Sequence, residues 1–143
     1  MNKDKSKNKK VMVFGTFDIV HKGHIFFLKK AKKLGTYLIV IVARDINVYK
    51  FKNRKTKYTE KQRLEDIKKL EIADLVVLGD LKDFMSPIIK YKPHMIAIGY
   101  DQKIPIVDFE NKIKTLDIKI KKIPSYKAMK YKSSIIRNAL CKK

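Results

Sequence analysis

The 143-residue sequence has no tryptophan, one cysteine, four prolines and five glycines. The single thiol, Cys141, excludes an intramolecular disulfide framework and any cysteine-rich zinc site. No apolar run approaches the roughly 18 residues of a membrane span. Residues 1–10 hold five lysines, but they run straight into a short apolar stretch with no small-residue cleavage site, so they do not read as a signal peptide. Arginine is scarce as well: Arg44, Arg54, Arg63 and Arg137 stand against thirty-one lysines in a net charge of +21. Sequence-specific DNA readers rely on the bidentate guanidinium fork, and these lysines are spread along the whole chain. The expected chain is soluble and cytoplasmic, with no membrane or nucleic-acid partner, and with a positive field that draws anionic small substrates. A non-catalytic nucleic-acid-binding module is the competing class, and it leaves the histidines described below without a role.

A hydrophobic fraction of 45% is enough for a core. Residues 1–9 read as a flexible basic tail, and residues 10–143 as a single domain. Within the domain, apolar runs at 11–14, 37–43, 75–78, 95–98 and 118–123 predict five strands. The run at 37–43 is apolar throughout, as expected of a parallel strand covered on both faces. Helical periodicity marks 22–34, and a capping-box pattern at Thr59 to Gln62 opens a helix with Leu64, Ile67 and Leu70 on one face. Further helices are expected from Pro87 to about residue 91, at 107–116 and at 133–140, whereas 46–58 lacks periodicity and reads as a loop. Strand–helix alternation of this kind predicts an α/β fold, a Rossmann-like three-layer sandwich on a five-stranded parallel sheet. Ligands in such sheets bind beyond the carboxyl ends of the strands.

The segment after the first strand is the richest in chemistry. It reads Gly15-Thr-Phe-Asp-Ile-Val-His-Lys-Gly-His24 and ends in the first turn of a helix. Free N–H groups and the helix dipole attract phosphate there. Gly23 permits close approach, His21 and His24 can face one phosphate from the same side, and Lys22 adds a full charge. Two histidines at this spacing are a weak metal motif. Zinc needs a third ligand, and His94, at the start of the fourth strand, has no evident acidic partner; no metal site is expected in the protein itself.

Residues 15–24 resemble the signature of the HxGH nucleotidyltransferases, the cytidylyltransferase-like superfamily, and the resemblance covers about residues 10–140. Ser133-Ser-Ile-Ile-Arg137 is similar to the second motif of that family, without the threonine often found after its serines. The resemblance implies in-line attack of a substrate phosphate on the α-phosphate of a nucleoside triphosphate, with pyrophosphate leaving. His21 and His24 would bond the α-phosphate, with His24 expected to carry imidazolium charge. Ser133, Ser134 and Arg137 would hold the β- and γ-phosphates, and Thr16 and Phe17 would line the nucleotide. Magnesium, or another divalent cation, would arrive with the triphosphate. Within the family, Val42-Ala-Arg-Asp45, the loop Lys52-Asn-Arg-Lys55 and Gln62-Arg63 look like the archaeal FAD synthases, with Asp101 placed to contact the nucleotide. That branch implies ATP and FMN as substrates, with Arg44, Asp45, Lys52, Lys55 and Arg63 as substrate or phosphate contacts. Phe17, Phe26, Phe27, Tyr49 and Phe51 are candidates for the wall against the flavin ring, Phe26 and Phe27 being more at home in the core. Many relatives form dimers, so a homodimer is a further implication. The alternative within the same chemistry is a CTP-dependent transferase of the glycerol-3-phosphate type.

Overall fold

The computed structural model describes residues 9–99, 102–104 and 106–124. Five strands form one parallel sheet: β1 (Lys10–Gly15), β2 (Tyr37–Val42), β3 (Leu75–Leu78), β4 (Met95–Gly99) and β5 (Lys119–Ile123). Their order across the sheet is β3-β2-β1-β4-β5. Between them run α1 (Lys22–Lys33), α2 (Asp45–Lys52), α3 (Glu60–Lys69), α4 (Ser86–Tyr91) and α5 (Phe109–Thr115).

Alternation along the buried strands sorts the core into two layers. Val11, Val13, Leu38, Val40 and Val42 face Leu28 and Ala31 of α1 and Ile67 of α3. Met12, Ile39, Ile41, Ile96 and Ile98 face Ile88 of α4 and Phe109 and Ile113 of α5. Strands sandwiched in this way have no wet face, which is why their sequence is continuously apolar. None of the helices among the described residues is long and apolar enough to cross a membrane.

One element departs from the sequence reading. Residues 45–52, all but the first in a stretch expected to be a loop, form α2. Their apolar positions, 46, 48, 49 and 51, do not fall on one helical face: Val48 and Asn47 are buried, while Ile46, Tyr49 and Phe51 are about half exposed. The helix is held by its ends instead. The Asp45 N–H donates to Glu60 Oε1 at 2.8 Å, and the Glu60 N–H donates to Asp45 Oδ2 at 3.1 Å, so the first residues of α2 and α3 cap each other. Asn53, at φ 54°, closes α2 in the left-handed conformation, which asparagine tolerates better than most residues.

The sheet opens at one place. β1 pairs with β2 along its whole length but with β4 only at Val11–Met95 and Met12–Ile96. Beyond Met12 the carboxyl ends of β1 and β4 part, which is the switch point of the topology. Gln102 bridges the gap, its amide donating to the Phe14 carbonyl at 2.8 Å and its oxygen accepting from the Gly99 N–H at 3.0 Å.

Candidate active site

At the end of β1 the chain turns through Phe17, whose φ of 52° lies in the left-handed region. A bulky residue there costs on the order of 1–3 kcal/mol. Burial of the ring, which is 4% exposed, offsets that cost. The ring lies over Gly15, where a Cβ would stand 2.5 Å from its atoms, so glycine at 15 is what makes the turn possible. The other side of Phe17 meets the His24 ring edge-on, with centroids 5.3 Å apart.

The two histidines cap α1 with each other. His21 Nδ1 accepts from the Gly23 N–H at 3.0 Å, and His24 Nδ1 accepts from the His21 N–H at 3.3 Å. Their rings stack at 3.9 Å. Because each Nδ1 is an acceptor, each neutral ring carries its proton on Nε2. The sequence reading placed free backbone donors at this helix start. In the structure the Gly23 N–H is taken by His21, and the His24 and Ile25 N–H groups point at the His21 carbonyl. Part of the anion-binding capacity of the terminus is thereby passed to the two imidazoles, whose Nδ1 atoms are polarised by backbone N–H groups; the His24 ring also makes a backbone hydrogen bond at Ile19.

His24 also departs from expectation in charge. Burial, with His21 and Lys52 adding repulsion and a backbone hydrogen bond at Ile19 working the other way, lowers its pKa from 6.5 to about 4. In the free protein the ring is a neutral donor rather than an imidazolium. Its NMR signals should therefore hold still from neutral pH to about 5 and move only as the pH nears about 4. Unfolding returns the ring to its ordinary pKa of 6.5. The unfolded chain then binds more protons between those values, so this ring's contribution to stability is complete above about 6.5 and falls as pH drops toward 4. Movement of the signals at their ordinary pH would refute the buried setting.

Two cavities meet at the end of β1. One, of about 570 Å³, is lined by His21, His24, Arg54 and Gly99. The other, of about 400 Å³, has apolar and aromatic walls from Phe14, Ile41, Val48, Phe51, Phe84 and Pro87. Phe14, Gly15, Thr16, Lys52 and Gln102 line both. Lys52 Nζ donates to Thr16 Oγ1 at 3.2 Å, which parks its ammonium at the junction.

The remaining expected residues fall into four groups. Arg44 lines the aromatic cavity, its Nε donating to the Gly79 carbonyl at 2.7 Å and its Nη1 to Glu60 Oε2 at 3.0 Å. Asp45 and Lys55 border a separate hollow with Tyr49 and line neither cavity. Arg63, expected at a substrate phosphate, is fully buried and spends its guanidinium on the protein. A helix made mostly of charged residues gives no sequence signal that one arginine points inward, so this placement had to come from the fold. Asp101, Ser133, Ser134 and Arg137 lie outside the described residues. Of the aromatic candidates, Phe51 lines the apolar cavity, Phe27 lines the histidine cavity, Phe17 supports His24 and Phe26 packs against the core. Phe14 and Phe84 were missed. Both follow from the rule that ligands gather at strand ends, since one closes β1 and the other follows β3.

The fold, the switch-point crevice and the paired histidines at a helix start define a nucleotidyltransferase, and the family model agrees: the chain belongs to the cytidylyltransferase-like family, matched over residues 12–139. Within it, the chain is similar to proteins named FAD synthase. That of Thermoplasma volcanium is 38% identical over 133 residues, covering 92% of this chain and 93% of the relative. That of Archaeoglobus profundus is 41% identical over 127 residues, covering 87% and 81%. For Ferroglobus placidus the figures are 53% over 94 residues, covering 66% of this chain and 60% of the relative. Among solved structures, one described as the lipopolysaccharide core biosynthesis protein of Thermoplasma volcanium matches with a TM-score of 0.71 at 39% identity, covering 82% of this chain and 95% of that one. The pantoate-beta-alanine ligase of Francisella tularensis shares the fold alone, with a TM-score of 0.58 at 16% identity, covering 81% and 59%.

Proposed function

We propose that this chain is an FMN adenylyltransferase, joining the AMP moiety of ATP to FMN and releasing pyrophosphate. The observation that carries the reading is the pair of cavities meeting at Lys52: one bears the histidines, the other has aromatic walls. A triphosphate fits the first, with its α-phosphate against His21 and His24; Lys22, expected beside it, is exposed and lines neither cavity. The flavin ring fits the second, against Phe51, Phe84 and Phe14. FMN's phosphate then reaches the junction, where Lys52 meets both substrates.

The chemistry asks little of the protein beyond placement. A phosphate monoester has a second pKa of about 6, so FMN's phosphate is mostly dianionic at neutral pH and needs no general base. One of its oxygens forms a bond to the α-phosphorus as the bond to the pyrophosphate oxygen breaks, and no proton has to move. Holding the two reactants in line removes much of the entropic barrier, and the Nε2–H donors of His21 and His24 favour the charge that builds on the α-phosphate. Ser133, Ser134 and Arg137 are assigned to the β- and γ-phosphates, and Asp101 to the nucleotide. Among the described residues no three His, Cys, Asp or Glu side chains group to hold a metal ion. Magnesium would arrive as part of the ATP substrate, held mainly by phosphate oxygens and water. The proposal extends to a cytoplasmic enzyme that pairs with a second copy of itself.

A CTP-dependent transferase of glycerol phosphate would use the same histidines and leave the aromatic walls without a ring to meet. Purified protein supplied with ATP or CTP and with FMN or glycerol 3-phosphate separates the two readings. FAD and pyrophosphate should form with ATP and FMN. A CDP-polyol product, with no FAD, would overturn the proposal.

A further inference from the structure

Arg63 is 0% exposed, so no substrate reaches it. Its three nitrogens are all committed: Nε to the Tyr58 carbonyl at 3.1 Å, Nη1 to the Thr16 carbonyl at 2.8 Å and Nη2 to Asp45 Oδ1 at 2.5 Å. Burying a guanidinium is costly unless its charge and donors are met. Here only one partner is a carboxylate, and the other two are loop carbonyls. Burial works against the charge on Asp45, but the Arg63 guanidinium, the Glu60 N–H and the Thr56 hydroxyl together hold its carboxyl below the usual range.

Those partners form a circuit around one residue. The Thr16 carbonyl belongs to the peptide that leads into Phe17, so the bond from Arg63 fixes the plane from which the left-handed turn begins. Phe17 in turn stands against His24. On the other limb, Asp45 is the first residue of α2, and Lys52 is the last. Lys52 returns to the Thr16 hydroxyl. Thr16 is thus held at its carbonyl by α3 and at its hydroxyl by α2, and Asp45–Arg63 joins the two helices. Asp18 ties the intervening loop to the same turn by accepting from the Lys57 N–H at 2.8 Å and the Tyr58 N–H at 2.9 Å.

We propose that Arg63 is a positioning residue for adenylyl transfer, setting the Thr16–Phe17 turn and through it the His24 ring and the Lys52 ammonium. The inference rests on the FMN adenylyltransferase reading for its kinetic consequences, though its structural consequence does not. Displacing a catalytic group by about 1 Å can cost roughly 10²-fold in rate. Arg63→Lys keeps the charge and loses the fork that grips two carbonyls and a carboxylate at once. It should fold, as judged by circular dichroism, and lower kcat by about tenfold to a hundredfold while the KM values for ATP and FMN stay within about threefold. The His24 ring signals in the free protein should shift at the same time. Asp45→Asn, which preserves the shape of the pair, is the second variant and decides the matter if Arg63→Lys does not fold. It should move both readouts in the same direction by a smaller amount. Folded variants with wild-type kcat, or with unmoved His24 signals, would overturn the proposal, as would a loss of activity that tracks the loss of folded protein alone. If the wild-type protein makes no FAD, the functional reading fails, and the His24 signals still decide whether Arg63 positions the turn.

Discussion

Replacing His24 with alanine should leave a folded protein that binds ATP and has lost about 10²–10³ in kcat, the usual consequence of removing one preorganised donor to a developing oxyanion. The ring does two things in the structure. Its Nδ1 accepts the His21 N–H, and its N–H is the donor assigned to the α-phosphate. Alanine abolishes both, so a second substitution has to separate them. Glutamine at this third helical position is a natural capping-box residue: its oxygen can take the His21 N–H while its amide donates outward. His24→Gln should therefore restore the stability lost in His24→Ala and recover part of the turnover. Recovery of stability with no recovery of turnover would mean that reach and direction of the donor matter more than its presence. Near-full activity of His24→Ala would make the ring a cap and nothing more.

Lys52→Met should produce the second largest loss, and it should be felt for both substrates. The ammonium lies where the two cavities join, bonded to Thr16 Oγ1 at 3.2 Å. Burial, together with the charges of Arg54 and Arg63 and against the pull of Asp18, lowers its pKa from 10.5; this partly desolvated ammonium interacts strongly with an arriving phosphate. Hydrogen bonds from charged groups contribute about 1.5–3 kcal/mol, which corresponds to roughly tenfold to a hundredfold in an equilibrium or rate constant. Since Lys52 touches ground-state phosphates as well as the reacting ones, KM for ATP and for FMN should rise and kcat should fall. Methionine preserves the apolar stem, so stability should hold. Steady-state kinetics with each substrate varied in turn checks this, and an unchanged KM for FMN would remove Lys52 from the junction.

The sheet was legible because its strands are buried on both faces and therefore spell themselves as uninterrupted apolar runs. The histidine turn was legible for a different reason: glycine, threonine and paired histidines after a strand serve no purpose in a core. Helix α2 was not legible. Its amphipathicity is weak, and it is fixed by reciprocal capping with Glu60, a residue 15 positions away. The same tertiary contacts concealed the role of Arg63, since an arginine bonded to a carbonyl 47 positions away looks, in one dimension, like any charge on a helix surface. The neutral state of His24 was concealed as well, because it depends on burial beside Phe17 and on the neighbouring His21 and Lys52 charges. The aromatic residues lining the apolar cavity come from a strand, a helix and a loop, so no local spacing announces them.

The central claim is that the two cavities bring FMN's phosphate directly onto the α-phosphorus of ATP, with no covalent enzyme intermediate. The stereochemistry at that phosphorus tests it most directly. ATP carrying a single sulfur of known configuration on the α-phosphate, incubated with FMN and the wild-type protein, should give a thio-substituted FAD whose phosphorus is inverted. Retention would demand two successive displacements through an adenylyl-enzyme and would contradict the account.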